Sequence, residues 1–425
     1  MAVAMLAALI AAGCSRRELK PPADHQGSTA VWTFFRGGAA GAAGVADEAV
    51  KPPLAVLWTY EARYKNSPPA ARNKTAENET SGRDAGPGET GRSAAAGIPA
   101  REMKDPIRSS PVVYNGVVVF GGQGGGVYAL NADNGKELWK FTTGDSVTAS
   151  PLILNGTVYL GSMDGKMYAL DLKTGRNVMK TGGEGEPGFE AKRGIKGGAA
   201  TDGKNIYFGA LDKTVYAIDA RTFMLQWTFE AKDWIEAAPA VVGGVVYVGS
   251  NDGYLYALDA VDGRRHWAFE TGDCVYSTPA VVDGTVYFTS WDGNVYALDA
   301  AGGGLKWKAA IDDQVSASPV VAGGRVYVGS AFVKGDMVAL DAATGNEIWR
   351  TPSRGGGFDA GPVLSGDILY AGSYDMYLYA YDAATGKLLW EKLMKEWVRG
   401  SVAVADNAVF VGAGNGKFMA LVPVK

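Results

Sequence analysis

The sequence predicts an all-β protein: an eight-bladed β-propeller of four-stranded blades, closed by an N-terminal strand that completes the C-terminal blade. The first observation is a tandem repeat. Trp227, Trp267 and Trp307 follow one another at intervals of forty residues, and the stretches between them share one pattern of apolar runs and turns. The second is composition, because 59 glycines, 20 tyrosines and 11 tryptophans with 20% charged residues favour short strands joined by tight turns.

Each repeat unit is predicted to supply four strands, which we call a to d. In the fourth unit they are expected over 239–242, 245–249, 254–258 and 265–269, where apolar and β-branched residues alternate. The Asp-Gly pair at 252–253 suits a tight turn between strands b and c, because both residues accept a positive φ.

Several units also carry an aspartate four residues before a glycine, at the end of strand c. These aspartates are Asp171, Asp259, Asp299, Asp341 and Asp382. Because they recur in one turn context, we interpret them as turn-forming residues rather than as metal ligands or acid/base pairs.

The number of blades follows from strand d. Seven units carry their own, marked by Trp139, Met179, Trp227, Trp267, Trp307, Trp349 and Trp390. The last unit, 401–421, stops before its strand d, whereas 57–60 has the pattern of a strand d with no unit before it. Sharing one blade between the two ends gives eight blades and removes free sheet edges.

The rest of the chain divides at its N-terminal end. Residues 1–13 contain an apolar run too short to span a bilayer and are predicted to be a signal peptide. Residues 14–53 form a tether and lead-in segment, and 54–425 form the propeller. Within it, 62–105 is polar and aperiodic and is predicted to be a disordered insertion. Two smaller irregularities are an extra segment at 181–196 and a longer b–c turn at 332–335.

The small residues Ala11, Ala12 and Gly13 directly before Cys14 resemble the lipobox of bacterial lipoproteins. The resemblance implies that Cys14 is lipidated and becomes the mature N-terminus, so that only this lipid contacts the membrane. Ser15 then implies the outer membrane, with the protein facing the periplasm or the cell surface. The alternative is an ordinary cleaved signal with an incidental cysteine.

The repeat over 54–425 resembles the pyrroloquinoline-quinone-type (PQQ-type) propeller family, and 32–38 resembles the W-x-x-F-R-G segment that precedes such repeats in exported proteins. The family contains quinoprotein dehydrogenases, which bind the quinone with calcium and usually carry adjacent cysteines. It also contains non-enzymatic, lipid-anchored subunits of the outer-membrane β-barrel assembly machinery. This chain has no Cys-Cys pair and no haem motif, which favours a non-enzyme without a cofactor; PQQ with calcium is the alternative.

Other chemistries find little support in the sequence. The net charge of −4 recommends no nucleic-acid partner. Neither histidine is predicted to take part in catalysis, because His25 lies in the tether and His266 lies on a strand d. Cys274 is a single thiol with no candidate catalytic partner. The glycine run 121–126 occupies a b–c hairpin with no following helix, so it does not form a phosphate loop.

The candidate site is one position per blade at the start of strand a, where the residue varies although its neighbours repeat. These residues are Arg108, Thr148, Lys196, Glu236, Tyr276, Ser316, Asp359 and Arg399. Since strand a is innermost in a propeller, we expect them near the axis, at one mouth of the channel. Variation inside a regular repeat indicates solvent-filled space or a binding site.

Two groups of residues at this mouth are candidates for contact with a partner or ligand. Arg108 and Arg399, with Lys196 further round, could bind a carboxylate. Trp234, Trp397, Phe358 and Arg354 are expected on the same face as interface anchors.

We therefore predict a non-catalytic, monomeric scaffold that binds a protein partner of the cell envelope. Outer-membrane protein assembly is the process in which such a scaffold could act. One alternative is a PQQ- and calcium-dependent alcohol or sugar dehydrogenase, with Glu236 and Asp359 as base and calcium ligand. The other is a propeller that binds a small molecule such as a sugar.

Overall fold

A computed structural model describes residues 45–46, 49–65, 102–179, 189–311, 314–331 and 335–424. These residues form 35 strands and no helix. Eight sheets of four antiparallel strands follow one another along the chain and build a closed ring. The prediction of an all-β, eight-bladed propeller is therefore confirmed.

The strands are as follows. Four precede the first complete blade: β1 Val45–Ala46, β2 Leu54–Glu61, β3 Arg63–Lys65 and β4 Glu102–Lys104. Blade 1 contains β5 Val112–Tyr114, β6 Val117–Gly121, β7 Gly126–Asn131 and β8 Glu137–Thr142. Blade 2 contains β9 Leu152–Leu154, β10 Thr157–Gly161, β11 Lys166–Asp171 and β12 Phe189–Glu190. Blade 3 contains β13 Ala200–Thr201, β14 Asn205–Gly209, β15 Thr214–Asp219 and β16 Leu225–Glu230.

The same order continues through the second half. Blade 4 contains β17 Ala240–Val242, β18 Val245–Gly249, β19 Tyr254–Asp259 and β20 Arg265–Glu270. Blade 5 contains β21 Ala280–Val282, β22 Thr285–Thr289, β23 Asn294–Asp299 and β24 Leu305–Ala310. Blade 6 contains β25 Val320–Ala322, β26 Arg325–Gly329, β27 Asp336–Asp341 and β28 Glu347–Pro352. Blade 7 contains β29 Val363–Ser365, β30 Ile368–Gly372, β31 Tyr377–Asp382 and β32 Leu388–Leu393, and blade 8 contains β33 Ala403–Ala405, β34 Ala408–Gly412 and β35 Lys417–Pro423.

The ring closes in blade 8, as the sequence predicts. β2 pairs antiparallel with β35, with Trp58 opposite Ala420 and Glu61 opposite Lys417. The N-terminal strand thus becomes the outer strand d of the last blade. Because β2 pairs over its whole length from Leu54, the shared strand is longer than the predicted 57–60.

The tryptophans of strand d join each blade to the next. The Trp267 indole donates its Nε1 hydrogen to the Ala300 carbonyl at 3.1 Å, and Trp227 bonds Ala260 in the same way at 3.0 Å. Six of these rings lie against a glycine of the next blade's c–d turn, so closely that a Cβ on Gly303 would be 2.6 Å from the Trp267 ring. They are the rings of Trp58, Trp139, Trp227, Trp267, Trp307 and Trp349. Asp299, which opens that turn, accepts the Gly302 amide at 2.8 Å, so the recurring aspartate forms the turn as expected.

The lead-in segment before β2 belongs partly to the fold. β1 pairs parallel with β29, the inner strand of blade 7, which makes a five-stranded sheet. Val50 is fully buried, and its amide donates to Ser365 Oγ at 2.9 Å while its carbonyl accepts the Tyr370 hydroxyl at 2.6 Å. This docking could not be derived from the repeat, because the segment has no counterpart in it.

The insertion between blades 8 and 1 differs from the prediction at both ends. β3 and β4 pair antiparallel, and Asp105 behind them is fully buried. Asp105 accepts the Gly124 amide at 2.6 Å and the Tyr128 hydroxyl at 2.8 Å, in the hairpin made by the glycine run. Residues 62–65 and 102–105 are therefore ordered by their bonds with each other and with blade 1. For these residues the prediction of a disordered insertion over 62–105 is wrong. Residues 66–101 lie outside the described residues.

The extra segment of blade 2 is shorter than the predicted 181–196. Asn177 bridges Leu170 as the first half of a strand d, Met179 is buried in the tryptophan position, and β12 supplies the second half. Residues 189–196 therefore occupy the regular strand d and loop positions. Only 181–188 interrupts the repeat, and it lies outside the described residues.

Candidate functional site

The eight variable residues before strand a line one mouth of the channel. The inner strands of neighbouring blades are joined there by serine side chains: the Ser401 amide donates to Ser110 Oγ at 2.9 Å, and the Thr278 amide to Ser318 Oγ at 2.8 Å. Each variable residue is half-buried and directly follows a buried apolar residue such as Ile107 or Val275. The structure therefore brings the predicted positions together as one ring, which we call the mouth ring.

A second variable position, at the start of the b–c turn and directly before the Asp-Gly pair in blades 2, 4 and 5, belongs to the same mouth. In every blade its amide donates to the carbonyl two residues before the mouth-ring residue, at 2.9 to 3.0 Å. The donor and acceptor pairs are Gln123 and Pro106, Met163 and Ser146, Leu211 and Gly194, Asn251 and Trp234, Trp291 and Cys274, Ala331 and Gln314, Tyr374 and Gly357, and Gly414 and Trp397. Sequence reasoning missed this turn ring, although its variation at a fixed position of the repeat, after the regular strand b, could have indicated it.

The predicted basic cluster surrounds a carboxylate of this chain. Arg399 Nε lies 2.9 Å from Asp359 Oδ2, and Arg108 Nη2 lies 3.8 Å from the same oxygen. Tyr374 and Ser316 also donate to this carboxylate, at 3.2 and 3.4 Å. Asp359 lies on blade 7, Arg399 on blade 8 and Arg108 on blade 1. The cluster therefore connects blade 8, which closes the ring, with both of its neighbours.

Burial and charge act in opposite directions on Asp359. Burial alone would raise the pKa of its carboxyl, but the Arg399 and Arg108 guanidinium groups and the Tyr374 hydroxyl outweigh it, so the pKa is lowered. The Asp359 carboxylate is therefore ionised at neutral pH. Since an ionised carboxylate only accepts hydrogen bonds, it fixes both guanidinium groups at the mouth.

A second ion pair lies a quarter-turn or more away, on blades 3 and 4. The Lys196 ammonium contacts Glu236 Oε2, and the Glu236 side chain is only 8% exposed. Asn251 of the turn ring donates its Nδ2 hydrogen to Glu236 Oε1 at 3.2 Å. Glu236 therefore holds one cation and one amide, and its charge is balanced.

Between the two ion pairs lie Tyr276 and its neighbours on blade 5. The Tyr276 ring meets the Trp291 ring edge-on at 4.8 Å. The Cys274 thiol donates to the Asn251 carbonyl at 3.2 Å, and burial raises its pKa to about 11. The thiol therefore stays protonated at neutral pH and links blade 5 to blade 4 as a weak donor.

The predicted aromatic anchors separate in the structure. Trp234 and Trp397 occupy equivalent, half-buried positions at the mouth, and the Arg399 guanidinium lies over the Trp397 ring at 5.8 Å. Phe358 is fully buried against Tyr379, so the expectation that it is exposed is wrong. Arg354 is exposed, but it pairs with Glu391 on the outer strand β32, which places it at the rim rather than at the channel.

The remaining candidates lie elsewhere. His266 Nε2 is 3.5 Å from Asp259 Oδ2 at the c–d turn, on the opposite face of the ring. Cys14 and His25 fall outside the described residues. In the part of the chain that the structure describes, no three His, Cys, Asp or Glu residues are grouped to hold a metal ion. The described residues also include no helix long and apolar enough to cross a bilayer.

The closed ring of forty-residue blades with inner strand a and tryptophan-bearing strand d defines a PQQ-type β-propeller. A family model described as "Outer membrane protein assembly factor BamB" matches residues 77–187, 182–330, 273–350 and 333–422. The chain belongs to this family.

Two curated relatives match shorter stretches. A quinohemoprotein alcohol dehydrogenase, ADH IIB of Pseudomonas putida, is 32% identical over 97 residues, which cover 19% of this chain and 14% of the relative. The outer membrane protein assembly factor BamB of Yersinia pestis is 29% identical over 98 residues, which cover 21% of this chain and 25% of the relative. The matched part of the chain thus spans a quarter or less of either relative.

Solved structures share the fold at low identity. BamB from Moraxella catarrhalis superposes with a TM-score of 0.64 and 19% identity, covering 74% of this chain and 96% of that one. The quinohemoprotein alcohol dehydrogenase of Comamonas testosteroni gives 0.63 and 16%, covering 75% of each chain. A computationally designed protein, Ika8, gives 0.66 and 18%, covering 75% and 96%. At these identities the likeness concerns the fold alone.

Proposed function

We propose that this chain is a non-catalytic propeller of the cell envelope that binds a protein partner at the mouth ring and acts in outer-membrane protein assembly. Lipidation of Cys14 would tether it to the outer membrane, facing the periplasm or the cell surface. The observation that carries the proposal is family membership across most of the chain, joined to a mouth whose two carboxylates are both paired with cations of this chain.

The geometry of the mouth suits docking more than proton transfer. Asp359 is held by Arg399 and Arg108, and Glu236 by Lys196, so each carboxylate already has its cation. Such pairs keep their side chains in one arrangement, and a preorganised surface loses less entropy when a partner binds. Trp234 and Trp397 add half-buried aromatic surface of the kind that anchors interfaces.

A PQQ- and calcium-dependent dehydrogenase is the second candidate, supported by the 32% identity to a quinohemoprotein enzyme. The donor set does not fit that cofactor in the arrangement seen. The Lys196 ammonium contacts the Glu236 carboxylate where calcium would need it, and Asp359 already holds Arg399 and Arg108. Adding quinone and calcium to the purified protein should therefore give neither cofactor absorbance nor dye reduction. Either signal would favour the enzyme.

The scaffold proposal is tested by binding to the periplasmic part of the β-barrel assembly protein from the same organism. Trp397→Ala removes an aromatic anchor from the mouth and should weaken binding by about tenfold or more. Val261→Ala, at an exposed c–d turn on the opposite face, is the matched control and should bind as the wild type does. Undiminished binding by Trp397→Ala would remove this part of the mouth from the interface.

The anchor is tested separately, by mass spectrometry of the mature N-terminus. A diacylated Cys14 is expected. An unmodified N-terminal residue other than Cys14 would contradict the lipoprotein assignment. It would leave the proposal of a docking surface at the mouth unaffected.

A further inference from the structure

Two guanidinium groups at the mouth share one carboxylate. Arg399 Nε lies 2.9 Å from Asp359 Oδ2, and Arg108 Nη2 lies 3.8 Å from the same oxygen. Because these cations lower the pKa of Asp359, the three side chains together hold two positive charges and one negative charge at neutral pH. Asp359 is therefore paired, but one positive charge is in excess. A charge that is partly removed from water is costly unless a counter-charge approaches it.

Most hydrogen-bond donors of the two guanidinium groups are unused. A guanidinium group donates from each of its nitrogen atoms. Among the described residues, the bond from Arg399 Nε to Asp359 is the only hydrogen bond that either group makes, because 3.8 Å is too long for one from Arg108. The Arg108 and Arg399 side chains are 20% and 19% exposed, and none of their unbonded nitrogen atoms is buried. A group arriving from solvent therefore reaches these donors.

Aromatic rings hold one of the two guanidinium groups in place. The Arg399 guanidinium lies over the Tyr374 ring at 5.1 Å and over the Trp397 ring at 5.8 Å. These rings exclude part of the surrounding water, and electrostatic attraction is stronger where water is excluded. With its Nε bonded to Asp359 as well, the Arg399 group is positioned before any ligand binds.

The chemistry of these donors selects a carboxylate. The planar fork of a guanidinium group matches the two oxygens of a carboxylate, which accept both of its hydrogen bonds at once. The excess positive charge repels a cation, and a neutral acceptor leaves that charge uncompensated. A phosphate group carries close to two negative charges and would make the cluster negative. A single carboxylate balances the two arginines and Asp359.

We propose that the protein partner of the mouth places a carboxylate against Arg108 and Arg399, where it accepts hydrogen bonds from both guanidinium groups. This inference rests on the proposed function, because it specifies the chemical group by which the partner is recognised. Arg108 lies on blade 1 and Arg399 on blade 8, so the carboxylate connects the first complete blade with the blade that closes the ring. Occupation of the site therefore stabilises the ring where its two ends meet.

Three short peptides test the site in the full-length protein, by calorimetry and by the melting temperature. Acetyl-Gly-Glu-Gly-amide has a side-chain carboxylate, acetyl-Gly-Gln-Gly has a C-terminal carboxylate, and acetyl-Gly-Gln-Gly-amide has neither. A peptide with a carboxylate should bind with a dissociation constant on the order of millimolar and raise the melting temperature. The neutral peptide should do neither. The carboxylate peptide that binds more tightly shows whether the partner uses a side chain or its C-terminus.

Arg108→Gln removes one guanidinium group and leaves the shorter pair of Arg399 and Asp359 in place. It should weaken binding of the carboxylate peptide by about tenfold or more. Arg108→Lys is a second variant, which keeps the charge but loses the planar fork and should weaken binding less. Arg264→Gln removes the same charge from an exposed c–d turn on the opposite face and is the matched control. Thermal unfolding without peptide shows whether each variant folds.

The inference and the proposed function fail in different ways. Equal binding of the carboxylate and neutral peptides, or of the carboxylate peptide by wild type and both Arg108 variants, would overturn the inference. The inference would also be overturned if the periplasmic part of the β-barrel assembly protein bound wild type and Arg108→Gln equally, although docking at the mouth would stand. If wild type bound the carboxylate peptide but not the assembly protein, the site would stand and the partner named in the proposed function would be wrong.

Discussion

Asp105, which is fully buried, and Asp359, which is half-buried, show how the surroundings decide what a carboxyl group contributes. Asp105 and Asp359 both lie in the loop between strand d and strand a. Burial raises the pKa of Asp105, because its hydrogen bonds from Gly124, Gly126 and Tyr128 do not compensate for lost hydration. Burial opposes ionisation of Asp359 as well, but Arg399 and Arg108 lower its pKa. The two groups should therefore affect stability in opposite ways as the pH changes.

Asp105→Asn is expected to stabilise the protein at neutral pH. The folded pKa of Asp105 is raised, so the stability associated with this group is present below the unfolded value near 3.8 and is lost as the pH rises through the folded pKa. Asparagine stays neutral and its Oδ1 can still accept the Gly124 amide. The Tyr128 hydroxyl can accept from the new Nδ2 while donating to the Arg63 carbonyl, 2.8 Å away.

Urea unfolding of both proteins between pH 3 and pH 8 measures this difference. The free energies of unfolding should converge at the acid end, and the variant should be more stable at the alkaline end. A variant that is less stable at pH 8 would show that the negative charge is needed in the blade 1 hairpin.

Asp359→Ala is expected to destabilise the protein by about 1.5–3 kcal/mol at neutral pH, because it removes charge-assisted hydrogen bonds and leaves two arginines without their carboxylate. The folded pKa is depressed, so this stability is present above the unfolded value of about 3.8 and is lost as the pH falls through the folded pKa. The difference from wild type should shrink in acid. A double-mutant cycle with Arg399→Ala isolates the pair, and a coupling energy near zero would contradict the assignment.

At the scale of strands and turns, the repeat is held together by contacts that cross from one blade to the next. In six of the eight blades the strand d indole bonds a carbonyl in the next blade and lies on the glycine of its c–d turn, as Trp267 does with Ala300 and Gly303. A tyrosine from strand b, such as Tyr247, donates to the same carbonyl at 3.2 Å. The regular residues of the repeat are thus used for blade packing, which leaves the variable positions for the mouth.

Trp267→Ala should lower the free energy of unfolding by about 3–5 kcal/mol, because it removes a large aromatic contact between blades 4 and 5 together with its hydrogen bond. Trp267 is half-buried whereas Trp227 is 7% exposed, so Trp227→Ala should cost at least as much. Denaturant unfolding measures both. A loss below 1 kcal/mol at either position would show that these indoles are not core residues.

Alanine substitutions at two glycines of blade 5 distinguish the cost of backbone strain from the cost of disturbing the packing of an indole. Gly303 and Gly284 have nearly equal positive φ angles of 71° and 69°, but a Cβ on Gly284 would meet nothing within 4 Å, whereas one on Gly303 would lie 2.6 Å from Trp267. Gly284→Ala should cost about 1–2 kcal/mol through strain alone. Gly303→Ala should cost clearly more, since the indole must move. Equal losses in thermal unfolding would show that the ring does not rest on this turn.

The strands and turns that recur in every repeat can be predicted from the sequence. The structure of segments outside the repeat cannot. Strand b of blade 4 was predicted over 245–249 and lies there, because Tyr and Val alternate before an Asp-Gly turn. The pairing of β1 with β29 and the burial of Val50 depend on tertiary contacts that no periodicity encodes. The mouth ring was predictable as a set of positions. The internal pairing of Arg399 with Asp359 was not, since it depends on side-chain reach between blades.

At the scale of the whole molecule, the ring is closed at one place, which we call the seam. It lies in blade 8, where no turn of the chain joins strand c to strand d. In the other blades a c–d turn connects strands c and d. In all of these except blade 3, where Phe223 replaces the glycine and Met179 of blade 2 replaces the tryptophan, the tryptophan of the preceding blade lies on the glycine of the turn. In blade 8 strand c ends at Pro423 and strand d begins at Leu54, with the Val424 amide donating to the Pro53 carbonyl at 2.9 Å. Val50 and Leu54 instead belong to the apolar cluster against which Trp390 packs. The lead-in segment thus takes the place of the missing turn.

A circular permutant tests this account of the seam. Residue 423 is joined to residue 54 through a five-residue turn copied from 260–264, and the chain is opened between residues 65 and 102, so that it runs from 102 to 423 and then from 54 to 65. The copied Gly263 should lie against the Trp390 ring, as the c–d turn glycines of blades 1, 2 and 4 to 7 lie against the tryptophan before them. The permutant should therefore unfold in one cooperative transition, at a temperature no lower than that of the parent chain.

The matched control is a simple deletion of residues 1–61, which removes β2 and exposes the edge of β35. It should melt at a lower temperature and aggregate, because a free strand edge and an uncovered Phe418 are left in blade 8. If the permutant melts as low as the deletion, then β1 and Val50 stabilise blade 7 in a way that ring closure alone does not supply. Restoring residues 45–53 ahead of residue 102 would not then rescue it, because their position between β29 and β2 depends on their order in the chain.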